Sequence, residues 1–186
     1  MNSLLGNSTV NQTLEQSLQK AQSVLTSFAT AEQFTNIMTV AFGNNFDTTV
    51  AAALAADWAE GDFAGLPAIS IRPTAEINNA MGAFAKATNT IYISQEYLAE
   101  NAANPGAVAG VLLEEAGHYI DWRINEFETP GDEGAIFSAL VRGEHLSERE
   151  LQLLKAEDDS ATIILDGQVI HIEQANITGT DNGETL

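Results

Sequence analysis

Residues 111–125 read VLLEEAGHYIDWRIN. Leu112, Leu113, Tyr119, Ile120 and Ile124 give this stretch the apolar content of a core helix. On a helix Glu114 and His118 fall one turn apart on a single face, with Glu115 about 100° round toward the same opening. Two carboxylates and an imidazole therefore gather around one point. Gly117, inside the helix, costs about 1 kcal/mol relative to Ala and marks a place where another segment approaches the backbone. Glu114 and Glu115 are adjacent in an apolar run, where charged groups need a partner. Asp121, three residues past His118, is placed to orient the imidazole ring or to offer another carboxylate.

The spacing is that of H-E-x-x-H, the helical motif in which the first and fifth residues hold zinc and the second serves as general base. Here Glu114 stands where that motif has its first histidine. The same residues also suit a core helix whose Glu and His side chains fall together for packing alone, and spacing does not choose between the two. His145 lies in a polar turn and reads as solvated, and His171 lies in the C-terminal hairpin, where a surface or half-buried position is expected rather than ligation. Neither a Ser-His-Asp arrangement nor a phosphate-binding glycine loop occurs.

Composition narrows the function classes. The chain has 186 residues, a hydrophobic fraction of 45% and a formal net charge of −19. That length fits one domain with a real core and a short appendage. The charge is uneven: residues 1–90 hold seven acidic and three basic side chains, residues 91–186 nineteen and four. Such a surface repels nucleic acid and anionic membranes and favours divalent cations. With no cysteine, neither a disulfide nor a thiolate metal site can form. The N-terminus has no basic segment followed by an apolar one, so no Sec signal peptide is expected, and no run is long enough to insert in a membrane.

Outward from the motif, the chain divides into a helical N-terminal part and a mixed remainder. Leu14, Leu18, Ala21, Leu25 and Phe28 mark an amphipathic helix over 12–28, and Phe34, Ile37, Met38 and Ala41 a second. Asp47 is a cap for a third, reaching about Trp58. Residues 68–72 alternate as a strand and stop at Pro73. Residues 82–85 and Thr90, Ile91, Tyr92 and Ile93 flank a turn and read as a hairpin. Ser94 caps a short helix, and Asn104-Pro105 opens the long one that carries the motif. Asp132 and Glu133 begin a further helix, Ser147 and Glu150 form a capping box, and Asp166-Gly167 joins two strands over 161–165 and 168–173.

This order, a strand pair, then a helix reading E-E-A-G-H-Y-I-D, then a helix with an early glutamate, resembles the catalytic core of the zincin metallopeptidases. More narrowly, it is similar to the zincin-like domain at the start of bacterial hemolysin-type, repeats-in-toxin (RTX) calcium-binding proteins. Residues 178–186, TGTDNGETL, resemble the first imperfect turn of their Gly/Asp-rich repeat. The resemblance implies an α+β, zincin-like fold, mostly helical, with a small sheet packed by the motif helix and a C-terminal β-hairpin. It divides the chain into an N-terminal helical segment (1–60), the zincin-like domain (61–174) and the start of a repeat tail (175–186).

By the same resemblance, Glu114, His118 and Glu133 hold a divalent metal and Glu115 is the general base of a metal-dependent peptidase, a secreted hydrolase. Asp132 competes with Glu133 as third ligand, and Asp121 is a supporting acceptor or alternative ligand. Thr90, Ile91, Tyr92 and Ile93 would be the edge strand along which a peptide or protein substrate lies. Two carboxylates and one imidazole make a neutral zinc site, which acidifies water less than a cationic one and leans toward manganese or calcium. Zinc remains the first expectation, and a catalytically inactive binding or structural module is the alternative function. The resemblance also implies an extracellular protein exported by type I secretion, with calcium bound by repeats beyond the present chain; a cytoplasmic location is the alternative. Neither nucleic acid nor membrane insertion is expected.

Overall fold

The computed structural model describes residues 2–175, so the repeat-like tail falls outside the described residues. The fold is mixed α/β and mostly helical, with one five-stranded sheet. Three helices come first, α1 (Asn2–Ala29), α2 (Phe34–Phe42) and α3 (Thr48–Ala59). The side chain of Asp47 accepts hydrogen bonds from the Thr49 and Val50 N–H groups, so its short carboxylate satisfies the donors that begin α3. Strand β1 (Ala68–Arg72) and a 3-10 turn lead to the hairpin of β2 (Gly82–Ala85) and β3 (Thr90–Ser94). Ser94 ends β3 and caps α4 (Gln95–Glu100), accepting from the Tyr97 N–H.

The long helix α5 (Pro105–Ile124) follows, with Pro105 in its first turn, where a missing N–H costs nothing. Helices α6 (Glu133–Val141) and α7 (Glu148–Leu154) come next, and β4 (Ser160–Leu165) and β5 (Gln168–Ala175) close the described chain. Asp166 (φ 51°) and Gly167 (φ 79°) both take the left-handed conformation that a two-residue hairpin turn requires.

The strand order is β1-β3-β2-β5-β4. β3 pairs in parallel with β1 and antiparallel with β2. Thr90, Ile91, Tyr92 and Ile93 are thus an interior strand and cannot take an added peptide, contrary to the expectation that they form the substrate edge. The connection through the 3-10 turn and β2 carries the chain back to lay β3 beside β1, and the edges are β1 and β4. Alternation along the strands gives the sheet two apolar faces. Phe84, Ile91, Ile93 and Ala175 face the main core with α5, while Ala83, Ala85, Tyr92, Ile163, Leu165, Ile170 and Ile172 form a smaller layer on the other side, under Ile77.

The main core also takes in Leu25, Phe28, Met38, Phe42 and Trp58 from the N-terminal helices. α1 packs directly on α5, so residues before and after position 60 share one core. α6 crosses α5 closely. A Cβ on Gly117 would sit 2.7 Å from the Gly134 Cα, and one on Gly134 would sit 2.6 Å from both the Glu114 carbonyl oxygen and His118 Nε2. The approach that Gly117 signalled in the sequence is therefore the first turn of α6. Among the described residues no helix is long and apolar enough to cross a membrane.

Candidate metal centre

The motif face of α5 meets the start of α6 and the two strands of the C-terminal hairpin. Apolar packing on the opposite side of α5, through Leu112, Leu113 and Ile120, fixes the helix rotation so that Glu115 and His118 point into this junction. His118 is 1% exposed and Glu115 is fully buried. His118 Nδ1 lies 3.0 Å from Glu133 Oε1 and 3.2 Å from Glu173 Oε2. Its Nε2 lies 3.3 Å from Asp159 Oδ2 and 3.9 Å from Asp132 Oδ1. One ligand atom each from Glu114, His118 and Asp132 can be chosen within 4.8 Å of one another, and a second such group joins His118, Glu133 and Glu173.

These contacts divide the expected ligand set in two. Glu133 is against Nδ1, where the ring's N–H can donate to it, and groups with Glu173 rather than with Glu114. Asp132, the competing candidate, is on the Glu114 side while also capping α6 through the Ala135 N–H. Asp121 serves elsewhere: its carboxylate accepts from Asn125 Nδ2, the Thr129 N–H and the Thr129 hydroxyl. It fastens the loop of residues 126–131 to α5, and neither supporting the ring nor replacing a ligand falls to it. Trp122 packs on Phe84 and Tyr119, and the Tyr119 hydroxyl donates to the Gly65 carbonyl, so both aromatics are structural. His145 and His171 are exposed, as expected.

Asp159 and Glu173 were not among the sequence candidates. Asp159 ends the acidic run 157–159 and looks like part of a solvated turn, yet it is 7% exposed. Glu173 carried a readable signal. Ile170 and Ile172 point to the smaller apolar layer, so alternation sends His171, Glu173 and Ala175 to the face that meets α5.

Six carboxylates, those of Glu114, Glu115, Asp132, Glu133, Asp159 and Glu173, surround one imidazole in a largely dry site. Burial, reinforced by Asp132, raises Glu114 to about 8, and burial raises Asp159 to about 6. Burial also pushes Glu115 well above the usual carboxylate range and raises Asp132 and Glu133. Burial alone would lower His118, but the hydrogen bond and charge of Glu133, with Glu115 and Asp159, raise it well above an ordinary histidine. Every shift has the sense of a site that binds positive charge, from protons or from a cation.

The donor set fits a divalent ion. Three buried side-chain atoms, Glu115 Oε2, His118 Nε2 and Asp159 Oδ2, have no hydrogen-bond partner among the described residues. Leaving such atoms unpaired is costly, and a cation on the Nε2 side could be held by that nitrogen with Glu114 and Asp132, while Asp159 Oδ2 lies 3.3 Å from the same nitrogen. Beside the cluster lies a pocket of about 260 Å³ lined by Glu128, Glu133, Glu157, Asp158, Asp159 and Glu173 among others. Compared with family models, with curated proteins and with solved structures, the chain matches none of them.

Proposed function

We propose that this chain is a zincin-like, metal-dependent peptidase domain in which His118 Nε2 and the carboxylates of Glu114, Asp132 and Asp159 hold one divalent cation. The observation that carries the reading is the buried, unpartnered Nε2 of His118, faced by these acids while Glu133 and Glu173 engage Nδ1. A carboxylate on the far ring nitrogen is what sets the tautomer and orientation of a metal-binding histidine. One imidazole with several carboxylates suits zinc and, more than a two-histidine site would, manganese or calcium.

When bound, such a cation acidifies a water molecule and polarises a carbonyl group. Glu115 is one position along α5 from Glu114, and its free Oε2 is the group that would take the proton from the attacking water. The other residues bind and orient: Glu133 holds the ring, Gly134 lets α6 close on it, and Asp132 joins a ligand position to a helix cap. Export by type I secretion and calcium-binding repeats downstream remain proposals that rest on the sequence resemblance.

The test has two stages. Chelator-stripped protein titrated with zinc, manganese and calcium should bind one equivalent of at least one of them. The loaded protein should then cleave an unstructured protein such as casein, and Glu115→Gln should abolish cleavage without preventing metal binding. A second reading, a cation-binding module without catalysis, is favoured by the complete burial of Glu115 and by the Ala175 N–H that donates to its Oε1 at 3.1 Å. Under that reading metal binds, no substrate is cut, and Glu115→Gln changes nothing in binding.

A further inference from the structure

We infer that the β4–β5 hairpin is a cation-dependent clasp, held fully against α5 and α6 only when a divalent cation sits at His118 Nε2. This rests on the cation site proposed above and assigns it a second consequence, control over how the C-terminal part of the chain is docked.

The hairpin supplies two of the six carboxylates. Asp159 stands at its entrance, with Oδ2 3.3 Å from His118 Nε2, and Glu173 lies within β5, with Oε2 3.2 Å from Nδ1. At the end of β5 the Ala175 N–H donates to Glu115 Oε1. The inner side of the hairpin is therefore attached mainly through charged groups, and most of them carry the same sign. Elsewhere its hold is modest. The ladder to β2 is three pairs long, Gly82 with Ala175, Ala83 with Gln174 and Phe84 with Glu173. The outer side adds a small apolar layer, an exposed Arg72–Asp166 ion pair at 2.8 Å and a hydrogen bond from Asn78 to Gln174.

Docking thus brings Asp159 and Glu173 against Glu114, Glu115, Asp132 and Glu133, with a single imidazole among them. Ionised together at such distances in a poorly solvated site, these carboxylates would repel strongly, so without a cation the assembled site must hold protons in its place. A divalent cation shared by Glu114 on α5, Asp132 at the start of α6 and Asp159 at the start of β4 removes that repulsion and ties three separate segments to one point. Ligand binding that needs the assembled form stabilises the assembled form by mass action.

Hydrogen exchange read by mass spectrometry on the full chain tests this, with zinc, manganese and calcium each added to chelator-treated protein and binding followed in parallel by calorimetry. For a cation that binds, the expected result is that exchange in residues 160–175 slows by about tenfold or more while α1 to α3 stay within about twofold. Asp159→Asn, which removes a buried charge and so does not threaten the fold, should abolish the slowing. Stoichiometric binding with unchanged hairpin exchange overturns the clasp and leaves the cation site standing. Binding of none of the three overturns the cation site and the clasp with it. Equal slowing throughout the chain, the N-terminal helices included, overturns a local clasp in favour of general stabilisation.

Discussion

The two sides of α5 use the same helix for opposite purposes. On one side Leu112, Leu113 and Ile120 are buried in the main apolar core, which also holds residues of α1 and the sheet. On the other, Glu115 and His118 are as deeply buried as those leucines, yet their Oε2 and Nε2 atoms have no hydrogen-bond partner among the described residues and stand among five further acids. Apolar burial alone supports the first side. The second is costly as it stands, and such a cost persists in a fold when something outside the chain offsets it. The difference separates the part of the helix that makes the fold from the part that makes the site.

Leu113→Ala, on the apolar side, should produce the largest change in stability. Leu113 is fully buried, and its truncation should cost about 2–5 kcal/mol in urea unfolding. The loss should be similar with and without cation, and a cation affinity that fell in parallel would mean that the two sides are not separable. His118→Ala acts on the other side. It should weaken cation binding by at least about a hundredfold by calorimetry, since it removes the one nitrogen donor and the ring that Glu133 orients. Its metal-free stability should fall as well, because the buried acids lose the only positive partner among them.

Gly134→Ala probes the seam between the two sides. The new Cβ would sit 2.6 Å from His118 Nε2 and from the Glu114 carbonyl oxygen, so α6 must shift away from α5. A cost of about 1–3 kcal/mol is expected, accompanied by weaker cation binding. Unchanged affinity in this variant would show that the cation does not lie on the Nε2 side.

What could be read beforehand depended on how locally each feature is determined. The caps at Asp47, Ser94 and Ser147 and the turn at Asp166-Gly167 are chosen by neighbouring backbone groups, and each is where the residues pointed. Glu114, Glu115 and His118 were readable because helix geometry relates residues three and four apart. The place of β3 was not. A hairpin shows only the partner joined by its turn, whereas the parallel pairing with β1 is decided by how the sheet packs on α5. Asp159 and Glu173 come from a segment more than forty residues beyond the motif start, and no spacing rule links them to it. The choice between Asp132 and Glu133 was not legible for a finer reason: these consecutive residues at the start of α6 reach opposite nitrogens of the same ring, and each belongs to a different candidate ligand group.

The mildest handle on the comparison is pH, because it acts only on the charged side. In the unfolded chain Glu114 and Asp159 lose their protons near 4.5 and 3.8, but in the fold they keep them up to about 8 and about 6. Between these limits the folded state binds more protons, so metal-free stability must fall as pH rises, by about 1.4 kcal/mol per pH unit for each proton retained. His118 acts with the same sign, since its raised value stabilises the fold below about 6.5 and that contribution is lost as pH climbs through the folded value. A bound cation displaces those protons, and so its affinity should increase with pH over the window in which metal-free stability declines. Urea midpoints at pH 5, 6.5 and 8 should therefore fall steadily in the presence of chelator and flatten or reverse with saturating cation. Leu113→Ala should lower all of these midpoints without changing either slope. Parallel profiles with and without cation would place the titrating groups outside the cation's reach, and the charged side of α5 would then be a proton-binding cluster only.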